Sequence, residues 1–252
     1  MSNQPPEQPV RQPRTRRPLD FKQFPGTYGL IAFTVLVFFG QFLSESLFRV
    51  DWLLQLGMKS GEEIANGQYW RFVTPIFLHI GILHLFVNMY SLYAIGPAVE
   101  RFFGTARFLA QYLLSGFAGV IFSLAFSPYP SAGASGAIFG LLGSLGAFLY
   151  AHRELFGQFG RFQLRQIAIV ALLNLGLGLM PGIDNWGHLG GLLAGVLLTL
   201  SIGPRFEVAW VGLEGRQVRD LRAWETSRWY YLLAACVLIL LAAAAVVLPT
   251  QG

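Results

Sequence analysis

Seven runs of apolar residues dominate the chain, at about 28–48, 83–103, 107–126, 135–151, 165–181, 185–203 and 229–248. Each approaches the roughly 20 residues that a helix needs to cross the ~30 Å hydrocarbon core of a bilayer. Six of the runs are clustered. The seventh stands apart, beyond a polar stretch from Pro204 to Arg228. The pattern predicts an all-α polytopic membrane protein with a six-helix core over 28–203, a linker over 204–228 and one further C-terminal transmembrane helix within 229–252. The last run is Leu/Ala/Val-rich, with only Cys236 to interrupt it, and reads as a lipid-facing addition. Residues 1–27, rich in Pro, Gln and Arg and without apolar periodicity, read as a disordered basic tail. The loop at about 49–82 mixes Trp52, Leu53, Leu54, Leu56, Trp70, Phe72 and Phe77 with charges, the make-up of a segment lying in the membrane interface.

Composition narrows the class. Only 12% of the 252 residues are charged and 54% are hydrophobic. Soluble domains carry about 25% charged residues, so this chain cannot coat a soluble surface of its size. The net charge of +5 does not indicate a nucleic-acid partner, because the basic residues fall between the apolar runs rather than in one patch. They report orientation instead. With the N-terminal tail inside, the inside segments hold fifteen Lys and Arg (Arg11 to Lys22, Arg101 and Arg107, Arg153 to Arg165, Arg205 to Arg228), and the outside segments hold only Arg49, Lys59 and Arg71. The expected topology is multi-pass, N-terminus cytoplasmic and C-terminus external, in a membrane such as the bacterial plasma membrane. Arg216, Arg219 and Arg222 in the last inside segment suit contact with anionic lipids. Nothing resembles a cleavable signal peptide, so the first run is expected to remain as an anchor. A single cysteine excludes an internal disulfide framework.

Polar groups within spans are costly, and each needs a reason. Gly133-Ala134-Ser135-Gly136 opens the fourth run. A serine N-cap beside packing glycines is the plain reading of such a motif. Length adds something. Ser135 to Ala151 gives about 25 Å of helix at ~1.5 Å per residue, short of the ~30 Å core, so Ser135 is expected below the membrane surface. Asn185-Trp186-Gly187-His188-Leu189-Gly190-Gly191 opens the sixth run. Its Gly191 and Gly195 match the spacing of Gly136 and Gly140, and helices with such faces can pack closely. That would bring His188 toward Ser135, the arrangement in which a histidine takes a serine's proton. A structural histidine bonded to a carbonyl is the alternative. His84 and Asn88 lie i, i+4 on one face of the second run. They are suitable donors for a developing oxyanion, or partners in an ordinary helix–helix hydrogen bond.

The ordered set of motifs resembles the rhomboid family of intramembrane serine proteases over roughly residues 28–203. The matching residues are Trp70-Arg71, then His79, His84 and Asn88 as HxxxxHxxxN, Gly96, Glu100 and Gly104 in GPAVERFFG, GASG with Ser135, Phe139, and GHLGG with His188. The resemblance implies a catalytic dyad of Ser135 and His188. It also implies an oxyanion hole of His84, Asn88 and the Ser135 backbone N–H. Phe139 takes the position of an aromatic ring packed on the catalytic histidine, and Trp70, Arg71 and Glu100 match residues that organise the first loop. The last run resembles the 6+1 layout of part of the family. The implied partners are transmembrane protein substrates and membrane lipids, cut near the outer membrane boundary after a small residue. No cofactor or metal is expected: there is no HExxH, and none of the four aspartates is mid-span. Asp184 is the one carboxylate near enough in sequence to make a triad. A chain of about 22–210 is expected to insert and cleave. The alternative function is a catalytically silent rhomboid-like protein that binds or escorts transmembrane helices; a transporter would need internal repeats, which the sequence lacks.

Overall fold

The computed structural model describes residues 22–210 and 216–247. The expected tail up to residue 21 and the end beyond Val247 lie outside the described residues. In chain order the helices are α1 (Pro25–Phe48), α2 (Trp52–Gly57), α3 (Gly61–Ala65), α4 (Ile82–Phe103), α5 (Thr105–Phe126), α6 (Ser135–Ala151), α7 (Arg153–Leu177), α8 (Asn185–Ile202) and α9 (Trp224–Val247). Two 3-10 turns, Tyr69–Phe72 and Thr74–Phe77, complete the loop between α1 and α4. The fold is helical and polytopic, as the apolar pattern predicts. Five described helices, α1, α4, α5, α8 and α9, are long and apolar enough to cross a membrane.

The first helix begins at Pro25, inside the stretch read as tail. Proline suits a first helical position because its missing N–H is one of those left unbonded there. Phe24 offers no side-chain cap. The cap comes from another helix. The Glu100 carboxylate, near the far end of α4, accepts from Gly26 N, Thr27 N and the Thr27 hydroxyl, each at 2.8 Å, and from the Thr105 hydroxyl at 2.8 Å. A carboxylate at a helix N-terminus satisfies its free amides and opposes its dipole. Gly104 then joins α4 to α5 with φ +74, so the chain reverses in a single residue.

Helix α6 is central, packed on α4, α5, α7 and α8. Its approach to α8 depends on the glycines. A Cβ on Gly191 would collide with the Gly136 carbonyl, and one on Gly195 with that of Gly140. On α5, a Cβ on Gly119 would come within 2.7 Å of the Gly187 carbonyl oxygen. Without a hydrophobic drive between helices in lipid, such backbone contact supplies the packing. At 17 residues, α6 is shorter than α4 and α5, which have 22 each.

Three expectations change. The fifth run, expected at 165–181, is part of a longer helix that starts at Arg153, is kinked at Gly157 (φ +52), and stops at Leu177 before Pro181-Gly182. Arg153, Glu154, Arg161 and Arg165 occupy its first half, so α7 is not among the five apolar helices. Within the linker over 204–228, β1 (Phe206–Trp210) pairs antiparallel with β2 (Arg216–Asp220), Phe206 facing Asp220. Finally, α9 starts at Trp224 and is not purely lipid-facing. Ser227, Tyr231 and Ala242 are buried, and one face docks on α5. Arg107 of α5 pairs with Asp220 at 2.8 Å and donates to the Ser227 hydroxyl. The Gln111 amide reaches the Tyr231 hydroxyl at 3.3 Å. Further along, Ala242 joins Val120, Ile121 and Leu124 of α5 and Ile64 and Phe72 of the first loop in one apolar cluster.

Candidate active site

Ser135 opens α6, and His188 lies one turn into α8. Both line one cavity, together with Ser131, Gly133, Asp184 and Gly187. The glycine contact between α6 and α8 sets how near the two helix starts can come. Among the described residues no hydrogen bond joins the Ser135 hydroxyl to His188, and the ring's buried Nδ1 has no partner. Phe139, one turn along α6 from Ser135, stacks on the His188 imidazole with centroids 4.5 Å apart and planes at 12°. A flat contact of this kind restricts the ring's rotation.

The start of α8 is fixed by Asp184. Its Oδ1 accepts from Gly187 N at 3.0 Å as an N-cap, and its Oδ2 accepts from the Ser123 hydroxyl at 2.5 Å. Among the described residues neither carboxylate oxygen is hydrogen-bonded to the imidazole. The geometry gives Asp184 the part of a helix cap tied to α5.

His84 meets Ser135 across Gly133. A Cβ on Gly133 would stand 2.7 Å from His84 Cε1, 2.9 Å from its Nε2 and 3.7 Å from Ser135 Oγ. With φ +147 as well, this position admits only glycine. Ile80 N donates to His84 Nδ1 at 3.4 Å, which leaves the proton of a neutral ring on Nε2, the nitrogen on the Ser135 side. Asn88 is buried, and its amide donates one hydrogen to the His84 carbonyl at 2.9 Å. A second amide hydrogen remains.

His79 is not on the helix that carries His84. It sits in the loop before α4, its ring 5.1 Å from that of His84. Burial, then the neighbouring His84, push its imidazole down to about 3, so Nε2 is free to accept, and Ala134 N donates to it at 3.4 Å. Gln41 of α1 holds the His79 backbone on both sides, accepting from its N–H at 3.0 Å and donating to its carbonyl at 3.1 Å. Among the described residues no group of three or more His, Cys, Asp or Glu could hold a metal ion.

Trp70 and Arg71 both bind the first loop. Trp70 Nε1 donates to the Leu56 carbonyl at 2.8 Å. The buried Arg71 donates to Gln68 Oε1 at 2.9 Å and to the Met58 carbonyl at 2.7 Å. Glu100 must be set apart from them. Its partners lie at the start of α1 and α5, at the opposite end of the bundle from Ser135, so it ties two helices to α4 and does not reach the first loop.

Sequence reading missed Lys59. It is fully buried, and its ammonium donates to the carbonyls of Tyr129 at 2.7 Å, Ser127 at 2.8 Å and Ser123 at 3.3 Å. Burial pushes its pKa below the usual lysine value, against the pull of Asp184. As one cation in a mixed loop, it carried no signal beyond its charge.

A family model described as "Rhomboid domain" matches residues 66–205, more than half of the chain. The chain belongs to the rhomboid family of multi-pass membrane proteins. It is 44% identical over 178 residues to "Rhomboid protease GluP" of Bacillus subtilis (strain 168), covering 70% of this chain and 34% of that protein. It is 40% identical over 139 residues to "Putative rhomboid protease YdcA" of the same organism, covering 54% and 68%. "RHOMBOID-like protein 4" of Arabidopsis thaliana is 37% identical over 156 residues, covering 62% and 39%. The chain thus spans about a third of the length of GluP and well under half of the Arabidopsis protein.

Proposed function

We propose that the protein is an intramembrane serine endopeptidase that cuts transmembrane segments of other membrane proteins near the outer membrane boundary. The observation that carries this is the shared cavity: Ser135 and His188 line it from the starts of two helices whose backbones touch through paired glycines. Two relatives named as rhomboid proteases support the chemistry.

In this mechanism Ser135 Oγ attacks the scissile carbonyl while His188 takes its proton. The tetrahedral oxyanion is met by the Ser135 backbone N–H, the His84 Nε2–H and the remaining Asn88 amide hydrogen. His188 then gives its proton to the leaving amine. Water hydrolyses the acyl-enzyme by the same steps in reverse order of partners. A dyad is favoured over a triad because, among the described residues, Asp184 makes no hydrogen bond to His188, whose Nδ1 is unpartnered, and instead caps α8 and binds Ser123. Phe139 holds the imidazole, while Trp70 and Arg71 stiffen the first loop above the cavity. The orientation follows the charge bias, with the N-terminus cytoplasmic and the Ser135 end outside. A substrate helix must unwind to expose its scissile bond, so Gly or Pro near the cut, worth about 1–3 kcal/mol against helix, should favour cleavage.

The test is cleavage in detergent of a transmembrane test substrate with helix breakers just inside its outer boundary, with the cut mapped by mass spectrometry. Ser135→Ala and His188→Ala should each abolish cleavage. Full activity in either variant would sink the dyad, and a cut at the cytoplasmic side would sink the orientation.

A further inference from the structure

The stretch from Ser127 to Ala134 delivers Ser135 to the cavity without helix or extended sheet. Irregular backbone at membrane depth persists only where protein or water satisfies its polar groups. Here the partners come from the first loop. Lys59 N donates to the Ser131 carbonyl at 2.8 Å, and Ser131 N donates back to the Lys59 carbonyl at 3.2 Å. Gly133 N donates to the Pro75 carbonyl at 2.9 Å, and Ala134 N to His79 Nε2.

The Lys59 side chain completes the set. An ammonium has three hydrogens, and here three carbonyls accept from it, those of Ser123, Ser127 and Tyr129. They lie at and just beyond the C-terminal end of α5, where unbonded carbonyls and the helix dipole favour a cation. Asp184, across the Ser123 hydroxyl, adds a nearby negative charge. The contacts also run outward, because Arg71 donates to the carbonyl of Met58, the residue before Lys59.

We propose that Lys59 is a positioning residue for Ser135: its ammonium and main chain lock residues 127–134 to the first loop and so set where the serine hydroxyl enters the cavity. This rests on the reading of Ser135 as the nucleophile. Lys59 touches neither the reacting atoms nor the substrate, and acts only through the segment that it holds.

The experiment uses the full chain in detergent, with Lys59→Met and Lys59→Arg. Three quantities are read: kcat and KM on the transmembrane test substrate, the rate of covalent labelling of Ser135 by a fluorophosphonate, and hydrogen exchange across residues 123–134. In Lys59→Met, kcat and the labelling rate should fall together by roughly 10–100-fold, as misplacement of a reacting group does. KM should change little, and exchange across 123–134 should quicken while α8 stays protected. Lys59→Arg, which restores a cation with several donors, should recover much of the loss. Should Lys59→Met fail to fold, Lys59→Gln takes its place with the same expectations. Unchanged exchange across 123–134 overturns the lock. Equal losses in the Met and Arg variants overturn the role of the cation. If exchange across 123–134 quickens in Lys59→Met but the wild-type chain neither cleaves nor labels, the nucleophile assignment falls and the positioning role with it, while the lock itself stands.

Discussion

The Phe139 ring lies flat against the His188 imidazole, 4.5 Å between centroids. It is the one aromatic contact made by that ring among the described residues, and it comes from the helix that Ser135 opens. A stacked pair is worth about 0.5–1.5 kcal/mol beyond its buried area. If that energy holds the base in its working orientation, Phe139→Ala should lower kcat by roughly 2–10-fold with KM nearly unchanged, and Phe139→Tyr should keep most of the rate. Steady-state kinetics on one transmembrane substrate decide it. A Phe139→Ala variant with wild-type kcat would leave the stacking without a part in catalysis.

The glycine clamp between α6 and α8 makes a sharper demand. Gly191→Ala would drive a methyl group into the Gly136 carbonyl. Overpacking of this kind costs about 1–3 kcal/mol, and relief can come only by parting the two helices that carry Ser135 and His188. Both thermal stability and cleavage should fall. Gly29 of α1 is the control, since a Cβ there meets nothing within 4 Å. Gly29→Ala should leave activity intact and raise stability slightly, by up to about 1 kcal/mol. Equal behaviour of the two variants would count against the clamp.

The long apolar helices and the glycine pairing were legible in the sequence because each rests on a local rule: hydropathy over a span, and small residues four apart. The same holds for Ser135 and His188, which sit in short motifs at helix starts. What escaped was set by contacts across the chain. Glu100 was grouped with the first loop, yet it caps α1, 73 residues earlier at Thr27; no local pattern announces a carboxylate lent to another helix. Lys59 counted only as a charge, because a buried ammonium is recognisable only once three carbonyls converge on it. The strands β1 and β2 were read as linker because each is only five residues long and the apolar alternation of the first (Phe206, Val208, Trp210) is too short to stand out beside the charged second; contacts from Arg107 to Asp220 and from Phe206 to His152 tie them to the bundle.

His152 gives this strand pair a pH dependence. Its Nδ1 bonds the Phe148 carbonyl at 2.8 Å, and its Nε2 accepts from Phe206 N at 2.9 Å. Only the neutral ring, protonated on Nδ1, can do both. Burial and the nearby Arg205 lower its pKa, against the Phe148 carbonyl and Asp220. A folded pKa below the unfolded value means that the ring's contribution is fully present above the unfolded pKa of ~6.5 and is lost as pH falls through the folded one. Melting curves from pH 8 down to pH 5 should therefore show wild type losing more stability than His152→Asn, which cannot titrate there. Parallel curves would remove His152 from the account.

The last prediction concerns α9. The sequence alone suggested that a chain of about 22–210 would insert and cleave, and the site supports the second half of that: no residue of α9 lines the cavity of Ser135 and His188. The docking of α9 changes the first half. Truncation strips Asp220 from the buried Arg107 and Tyr231 from Gln111, and it uncovers the cluster in which Ala242 packs on Val120 and Ile64. Removing one partner of a buried ion pair costs about 3–5 kcal/mol, less here to the extent that water reaches the freed guanidinium. The truncated chain should therefore melt well below the full chain, while the cleavage rate per folded molecule at low temperature stays close to wild type. Asp220→Asn in the full chain isolates the ionic part and should reproduce a fraction of the shift. If truncation instead abolished cleavage at temperatures where the chain remains folded, α9 would have to act on the site, and the route would run through Ile64 and Phe72 of the first loop, the segment that also holds Lys59.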